Sequence, residues 1–213
     1  MDFVTPEIEA YAEAHTSSPE PLLHALAEET RATLRAPQML TGTIEGRLLE
    51  LLVHGLQARR VLEIGTYSGY GTLSMASGLP EDGRIDTCEI EEQHAEVARR
   101  YLEQAGHGHH VTVHVGPALE TIARLEGEFN FVFIDADKVN YRNYYEAVLP
   151  RLAPHGLIAV DNTIWSGRVL EKDGDDDTRA IREFNDHVVG DERVACVMLT
   201  VRDGVTLIRR RAA

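Results

Sequence analysis

Basic residues are scarce in this sequence, and long apolar runs are absent from it. Only 21 of its 213 residues are lysine or arginine, against 35 aspartates and glutamates, so the formal net charge is -14 at pH 7. Such an acidic surface repels the phosphate backbone, and we expect no nucleic-acid partner. No apolar run approaches the roughly 20 residues that a membrane-spanning helix needs, so we expect no membrane partner either.

Cysteine is also scarce. The two cysteines, Cys88 and Cys196, lie in apolar, strand-like runs, which predicts buried free thiols in a reducing compartment. The first ten residues, Met1–Ala10, carry three acids and no base, unlike the basic start of a secretory signal peptide. Together these features predict a cytoplasmic protein.

The chain length predicts one domain that can bury a hydrophobic core. The segment Thr5–Arg35 is rich in alanine, glutamate and leucine and predicts two helices. A short linker, Gln38–Thr43, precedes a further helix with leucines at helical spacing. We therefore divide the single domain, 1–213, into N-terminal helices over 1–57 and an α/β core over 58–213.

From residue 58 onward, strand-like and helix-like patterns alternate. The predicted strands are Arg60–Ile64, Arg84–Glu89, Val111–Val115, Phe129–Asp135 and Leu157–Asp161. The predicted helices are Gly69–Ser77, Gln93–Ala105, Ala118–Leu125, Tyr141–Leu152 and Thr178–Val189. This alternation predicts a doubly wound α/β fold with a mostly parallel sheet. Two last strand-like runs, Val194–Val201 and Val205–Arg209, flank the turn sequence Arg202-Asp203-Gly204 and predict a C-terminal β-hairpin with an antiparallel strand.

The loop after the first predicted strand is the candidate cofactor site, because ligands of open α/β sheets bind beyond the carboxyl ends of the strands. It reads Glu63-Ile64-Gly65-Thr66-Tyr67-Ser68-Gly69, and Gly65 permits a sharp turn and close approach of a ligand. The G-x-G-x-x-G pattern of a dinucleotide site is absent, since tyrosine occupies positions 67 and 70. Glu63 would repel a pyrophosphate but attract the cationic amino group of a methionine moiety, which favours S-adenosylmethionine.

Two later positions fit the same nucleoside cofactor. Glu89, at the end of the second predicted strand, can accept hydrogen bonds from a ribose diol. Gly116-Pro117-Ala118 follows the third strand, where an adenine edge would lie, although an ordinary strand-to-helix turn has the same pattern.

The fourth and fifth predicted strands both end in acids, Asp135 and Asp161, and Asn162 follows the second. If these strands are neighbours, the three side chains converge beside the cofactor. Their oxygens suit a hard divalent cation such as Mg²⁺, and the lack of sulfur and imidazole disfavours zinc. Either acid alone would commonly be a solvated turn residue. Lys138 is a candidate general base, but the charges of Asp135 and Asp137 oppose loss of its proton, so its pKa stays open.

Five motifs stand out between Gln38 and Arg210: Leu62–Gly65, Leu79–Ile85, Gly116–Leu119, Phe133–Lys138 and Asp161–Gly167. Together they resemble the cation-dependent catechol and caffeoyl-CoA O-methyltransferase family. The resemblance implies the Rossmann-like sheet of class I methyltransferases. That sheet ends in an antiparallel C-terminal hairpin, which dinucleotide-binding sheets usually lack. It also implies a homodimer, since family members are commonly dimers.

The resemblance implies a role for each site residue. Those implied to bind S-adenosylmethionine are Met39, Thr41, Glu63, Gly65, Thr66, Tyr67, Ser68, Gly71, Glu89, Ala118 and Asp135. Asp135, Asp161 and Asn162 would hold Mg²⁺, with Mn²⁺ or Ca²⁺ as alternatives. Lys138 would be the base, in a catalytic pair with Asp135, and Asp137 and Trp165 would line the acceptor pocket.

The sequence departs from the family pattern at two places. Gly71 stands where the family usually has serine, so one hydroxyl contact with the cofactor is missing unless Thr72 replaces it. The segment Arg168–Arg179 is shorter and more acidic than the insertion of the plant enzymes. It resembles the bacterial members, whose acceptors are often simpler phenolics, and its aspartates match a polyanionic coenzyme A thioester poorly.

These observations predict transfer of a methyl group to a hydroxyl of a catechol-like small molecule. Three alternatives remain. A nucleotide-dependent oxidoreductase is disfavoured by the missing glycine pattern and by the hairpin. A metal-independent methyltransferase acting on RNA or protein is disfavoured by the net charge and by the Asp161-Asn162 pair. A cofactor-binding module without turnover is disfavoured by the intact set of acids, amide and lysine.

Overall fold

The computed structural model describes residues 4–211. Within that range the chain forms eight α-helices and seven β-strands. The helices are α1 (Pro6–Ala14), α2 (Pro21–Thr33), α3 (Gly42–Leu56), α4 (Tyr70–Ser77), α5 (Glu92–Gln104), α6 (Ala118–Arg124), α7 (Tyr141–Val148) and α8 (Asp176–Val189). The strands are β1 (Arg60–Ile64), β2 (Arg84–Glu89), β3 (Val111–Val115), β4 (Phe129–Ile134), β5 (Leu152–Val160), β6 (Val194–Leu199) and β7 (Val205–Arg210).

All seven strands join one sheet in the order β3-β2-β1-β4-β5-β7-β6. The first five pair in parallel, whereas β7 runs antiparallel to both β5 and β6. The predicted doubly wound, mostly parallel sheet with an antiparallel C-terminal hairpin is therefore confirmed. The strand order reverses between β1 and β4, so the crevice for a ligand lies beyond the carboxyl ends of those two strands.

The central strands are buried on both faces, which explains their continuous apolar sequence. Along β4, Val132 and Ile134 join a core with α7 and α8, while Phe131 and Phe133 face a second core that includes Leu49 of α3. Alternate residues of one strand thus serve two cores. Two packed faces hold the ends of the central strands in fixed positions.

Strand β5 begins at Leu152, five residues earlier than the sequence patterns predict. Helix α7 ends at Val148, and a 3-10 helix follows over Leu149–Arg151. The strand pairing of β4 with β5 shifts register after Phe129, and the nearby Pro154 is exposed. Proline is tolerated in a strand at such an irregularity, where no ladder hydrogen bond needs its missing N–H.

The N-terminal helices cover the sheet unequally. Helix α1 buries none of its residues, whereas α2 buries Leu23, Leu26 and Ala27. The predicted linker Gln38–Thr43 is partly helical, since a 3-10 helix covers Pro37–Met39 and α3 begins at Gly42. No helix of the described chain has both the length and the apolar composition needed to cross a membrane.

The two cysteines differ in exposure. Cys88 is buried, as predicted, but Cys196 is exposed, so that half of the prediction is wrong. Cys196 lies on β6, at the edge of the sheet, where an apolar run does not guarantee cover on either face.

Candidate active site

The loop between β1 and α4 is shaped by Gly65. Its φ is +101°, and a Cβ atom there would lie 1.9 Å from the carbonyl oxygen of Asp135. Only glycine permits this approach. The amide groups of Gly65 and Thr66 both donate to the carbonyl oxygen of Cys88, at 3.0 and 3.2 Å. The loop after β1 is therefore held against the ends of both neighbouring strands.

Glu63 lies beneath this loop, and its side chain is only 1% exposed. Its Oε2 accepts hydrogen bonds from the hydroxyls of Thr72 and Thr87. Burial raises the pKa of Glu63 to about 8, although the two hydroxyl donors act in the opposite direction. Thr72, which could have replaced the missing hydroxyl at Gly71, is thus engaged with Glu63. A Cβ atom at Gly71 would lie 2.9 Å from Glu63 Oε1, so the serine of the family pattern would crowd this carboxyl group.

Glu89 ends β2 and is held by the backbone around it. Its Oε2 accepts from the Tyr67 amide at 2.7 Å, and its Oε1 accepts from the amides of Ile90 and Glu91, both at 3.0 Å. These bonds fix the carboxylate at the edge of the cavity, where its remaining lone pairs can accept from a ligand hydroxyl.

The acids predicted to converge do so, because β4 and β5 are adjacent and parallel. Lys138 Nζ donates to Asp135 Oδ1 at 3.1 Å and to Asn162 Oδ1. Asn162 Nδ2 donates in turn to Asp161 Oδ2 at 2.9 Å. The third partner of Lys138 Nζ is Tyr141, whose hydroxyl accepts from it at 2.6 Å and donates to the Asp161 carbonyl oxygen at 3.2 Å. Sequence reasoning missed Tyr141, although it lies three residues after Lys138.

Asp161 is the most confined of these acids. Its side chain is buried, and its Oδ1 has no hydrogen-bond partner within residues 4–211. Burial, and then the charge of Asp135, raise the pKa of Asp161 to about 7. An unpartnered buried carboxylate oxygen is costly, and a bound cation would satisfy it.

The two residues predicted to line the acceptor pocket, Asp137 and Trp165, lie close to Lys138 in sequence or in space. Asp137 is exposed and accepts from the hydroxyl of Tyr144. The Trp165 ring centroid lies 5.6 Å from Lys138 Nζ, and the indole Nε1 is buried with no partner in the described chain. The C-terminal hairpin fixes this loop, since the Ile164 amide donates to the carbonyl oxygen of Asp203 at 2.9 Å.

A cavity of about 1520 Å³ opens at these strand ends. A pocket for one small ligand is usually about 300–1,000 Å³, so this cavity has room for two. The predicted site residues that line it are Met39, Thr41, Gly65, Tyr67, Glu89, Ala118, Asp135, Asp137, Lys138, Asp161, Asn162 and Trp165. The others, Glu63, Thr66, Ser68 and Gly71, are buried and do not line the cavity.

Three cavity walls contain no residue that sequence reasoning assigned to the site. Helix α1 contributes residues such as Ile8 and Glu9, α3 contributes Glu45, and the hairpin turn contributes Arg202. The turn sequence at Arg202 predicts only a hairpin, and Glu45 fits the pattern of a surface helix. Neither position carries a local signal for the cavity, because their partners are distant in sequence.

Comparison with known proteins places the chain in a family. The family model described as O-methyltransferase matches residues 13–211. The chain is 40% identical to caffeoyl-CoA O-methyltransferase 2 of Zea mays over 185 residues, which cover 81% of this chain and 70% of the maize protein.

Two solved structures resemble the whole fold. One is the O-methyltransferase TomG of Streptomyces achromogenes, in complex with SAM, with a TM-score of 0.88, 31% identity and coverage of 97% of this chain and 96% of that one. The other is an O-methyltransferase of Bacillus cereus in complex with SAH, with a TM-score of 0.88, 31% identity and coverage of 96% and 97%. The resemblance found in the motifs is confirmed, and the chain belongs to the O-methyltransferase family.

Proposed function

We propose that the protein transfers the methyl group of S-adenosylmethionine to a hydroxyl of a catechol-like phenolic molecule, with the help of a divalent cation. The observation that carries the proposal is the group Asp135, Lys138, Asp161 and Asn162 on one wall of a cavity large enough for a cofactor and an acceptor.

The methyl donor is supported by the neighbours solved with SAM and SAH. Glu89 would accept hydrogen bonds from the ribose, Ala118 would contact the adenine edge, and Met39 and Thr41 would close over the methionine end. Glu63, Thr66, Ser68 and Gly71 are buried and do not line the cavity, so we assign them to shaping the backbone of the loop. On that view the loop backbone, rather than the Glu63 carboxyl group, meets the methionine end.

Asp135, Asp161 and Asn162 would hold the cation, for which Mg²⁺ is the first choice and Mn²⁺ or Ca²⁺ the alternatives. The donor set fits, because all three ligands are oxygens. Moreover, the oxygens of Asp135 and Asn162 already share one donor, Lys138 Nζ. When bound, a divalent cation stabilises a phenolate next to the methyl donor.

As a neutral amine, Lys138 would take the proton from the attacking hydroxyl and so become the ammonium ion. Its Nζ lies beside the proposed ligand oxygens, and Lys138 lines the cavity that the acceptor would enter. Asp137 and Trp165 would position the acceptor ring. The chain then needs only to hold donor and acceptor close and aligned.

A coenzyme A thioester is the second candidate acceptor, because the maize relative is named for one. The loop between β5 and α8 argues for a smaller acceptor. Asp177 lines the cavity, and Asp173, Asp175 and Asp176 are exposed close by in sequence. Acids in this position disfavour a polyanionic ligand.

The proposal is tested by methyl transfer to catechol, caffeate and caffeoyl-CoA, with EDTA and after restoring Mg²⁺. We expect EDTA and Asp161→Ala each to abolish transfer, and Lys138→Met to lower kcat by about 10²–10⁴-fold with S-adenosylmethionine binding retained. Asp82→Ala, which changes an exposed acid paired with Arg59, is the matched control. Full activity in EDTA would contradict the cation role.

We also propose that the protein is a cytoplasmic homodimer. The support for the dimer is the family resemblance. Sedimentation velocity at several protein concentrations measures the oligomeric state directly, and a single species of 23.7 kDa would contradict the homodimer.

A further inference from the structure

Glu45 is a buried carboxyl group to which the proposed reaction gives no role. It lies in the first turn of α3, its side chain is 1% exposed, and it lines the same cavity as Asp135 and Asp161. An ionisable side chain in that position needs compensation, because burial of an unpaired charge is costly.

Only one of its two oxygens is compensated. Glu45 Oε2 lies 3.6 Å from Arg202 Nε, and the same guanidinium donates to the carbonyl oxygen of Leu40 at 3.3 Å. Glu45 Oε1 is buried and has no hydrogen-bond partner in residues 4–211. Arg202 therefore fixes the orientation of the carboxyl group and leaves Oε1 free.

The free oxygen has a counterpart in the same cavity. Asp161 Oδ1 is likewise buried without a partner in the described residues, and both carboxyl groups line the cavity. Burial, followed by the charges of Asp161 and Asp135, raises the pKa of Glu45. Two buried carboxyl groups thus line one cavity, each with an oxygen that no donor satisfies, an arrangement that requires a positive charge or a proton.

The fixed cations of the site do not supply that charge. Lys138 Nζ donates to Asp135 and Asn162, and Arg202 faces Glu45 Oε2. The oxygens left over are Glu45 Oε1, from α3, and Asp161 Oδ1, from the loop after β5. Unpaired carboxylate oxygens that line one cavity are the ligands that a hard divalent cation takes.

We propose that Glu45 Oε1 is a further ligand of the divalent-cation site, shared with Asp161. This inference rests on the proposed function, because it adds a carboxylate to the cation site of that reaction. An added carboxylate raises the affinity for the cation through its charge. Arg202 is then a positioning residue that aims Glu45 at the cation.

The test is a Mn²⁺ titration of the full chain without cofactor or acceptor, in which free Mn²⁺ is measured by electron paramagnetic resonance. The variants are Glu45→Gln, Glu45→Asp, Asp161→Asn and the control Glu96→Gln. Glu96 is a fair control, because it carries the same charge on an exposed position of α5 and does not line the cavity. Near-ultraviolet circular dichroism of each variant checks the fold.

We expect Glu45→Gln to weaken Mn²⁺ binding by about 10- to 100-fold, as loss of a partner of a metal site does, and Glu96→Gln to leave it within about twofold. Should Glu45→Gln fail to fold, Glu45→Asp keeps the charge and withdraws the oxygen by one methylene, and it should weaken binding too. Wild-type affinity in the folded Glu45 variants, with binding lost in Asp161→Asn, overturns this inference alone. No Mn²⁺ binding by the wild type overturns the proposed cation dependence as well.

Discussion

At the scale of single residues, Glu63 shows how a buried acid can support a binding loop from below. Its carboxyl group lies among Thr72, Thr87 and the backbone of Gly71, and it has no access to the cavity. Burial makes the neutral form favourable, which the pKa of about 8 reflects. A site acid can thus contribute through the fold of the loop rather than through contact with a ligand.

This environment predicts that stability depends on pH. The pKa of Glu63 is 4.5 when solvated and about 8 in the folded state. Between these values the folded state holds a proton that the unfolded state has lost, so the free energy of unfolding falls as pH rises and levels off above about 8. Each pKa unit corresponds to about 1.4 kcal/mol, which makes the fall measurable.

Urea unfolding between pH 5 and 9 measures this fall for the wild type and for Glu63→Gln. The variant should show a shallower fall, since its amide cannot lose a proton, while Asp161 contributes in the same direction in both proteins. Glu96→Gln, at an exposed glutamate, is the matched control. If the free energy of unfolding fell equally with pH in the wild type and in Glu63→Gln, the raised pKa of Glu63 in the folded state would be contradicted.

The acid cluster could be predicted from sequence, whereas Glu45 and Arg202 could not. Asp135 and Asp161 each follow an apolar run, and parallel neighbouring strands bring such ends together. Arg202 meets the linker at Leu40 across 162 residues of sequence. That contact depends on how the hairpin and the N-terminal helices meet in space, which no local pattern encodes.

At the scale of elements, α1 has an unusual place. It buries no residue, yet Pro6, Ile8, Glu9 and Ala12 form part of the cavity wall. Its tie to the hairpin is one long ion pair, Glu9 Oε1 to Arg202 Nη1, at 4.0 Å. The helix therefore contributes to the cavity much more than to the core.

Removal of residues 1–16 should separate these two contributions. We expect thermal unfolding to change little, because none of the described residues in this segment, 4–16, is buried. The KM for the phenolic acceptor should rise about tenfold, equivalent to about 1.4 kcal/mol of lost contact. Removal of residues 1–34 is the contrasting variant: it takes away Leu26, which is fully buried, and should lower the melting temperature markedly. Equal losses of stability in both truncations would contradict the view that α1 serves the cavity and α2 the core.

Sequence patterns predict the elements best where the period is clear. The bounds of β1, β2 and β3 agree with their predicted bounds, since these strands are short apolar runs between turn residues. The start of β5 was missed because Pro154 and Gly156 are also helix-ending signals, and only pairing of Leu152 with Phe129 extends the strand across them. At this place the pairing of β5 with β4 outweighs the local tendency of proline and glycine to end regular structure.

At the scale of the whole molecule, the net charge of -14 acts on every charged ligand. Some acids near the cavity mouth are paired: Arg168 with Asp175, and Arg179 with Asp176. In these exposed pairs each arginine neutralises one aspartate, which weakens the negative potential locally. The excess of acids over bases in the whole chain remains. The field at the cavity mouth is therefore expected to be negative.

This field predicts a dependence on salt that distinguishes the two candidate acceptors. Repulsion between like charges is screened over about 10 Å at 0.1 M ionic strength. Raising NaCl from 20 to 200 mM at fixed Mg²⁺ should therefore increase kcat/KM for caffeoyl-CoA severalfold and leave that for neutral catechol within about twofold. Initial rates with both acceptors in the same buffer series give the comparison. A fall in kcat/KM for the thioester with salt would instead reveal an attractive basic site for its phosphates, and would favour the thioester as the acceptor that this cavity is built to take.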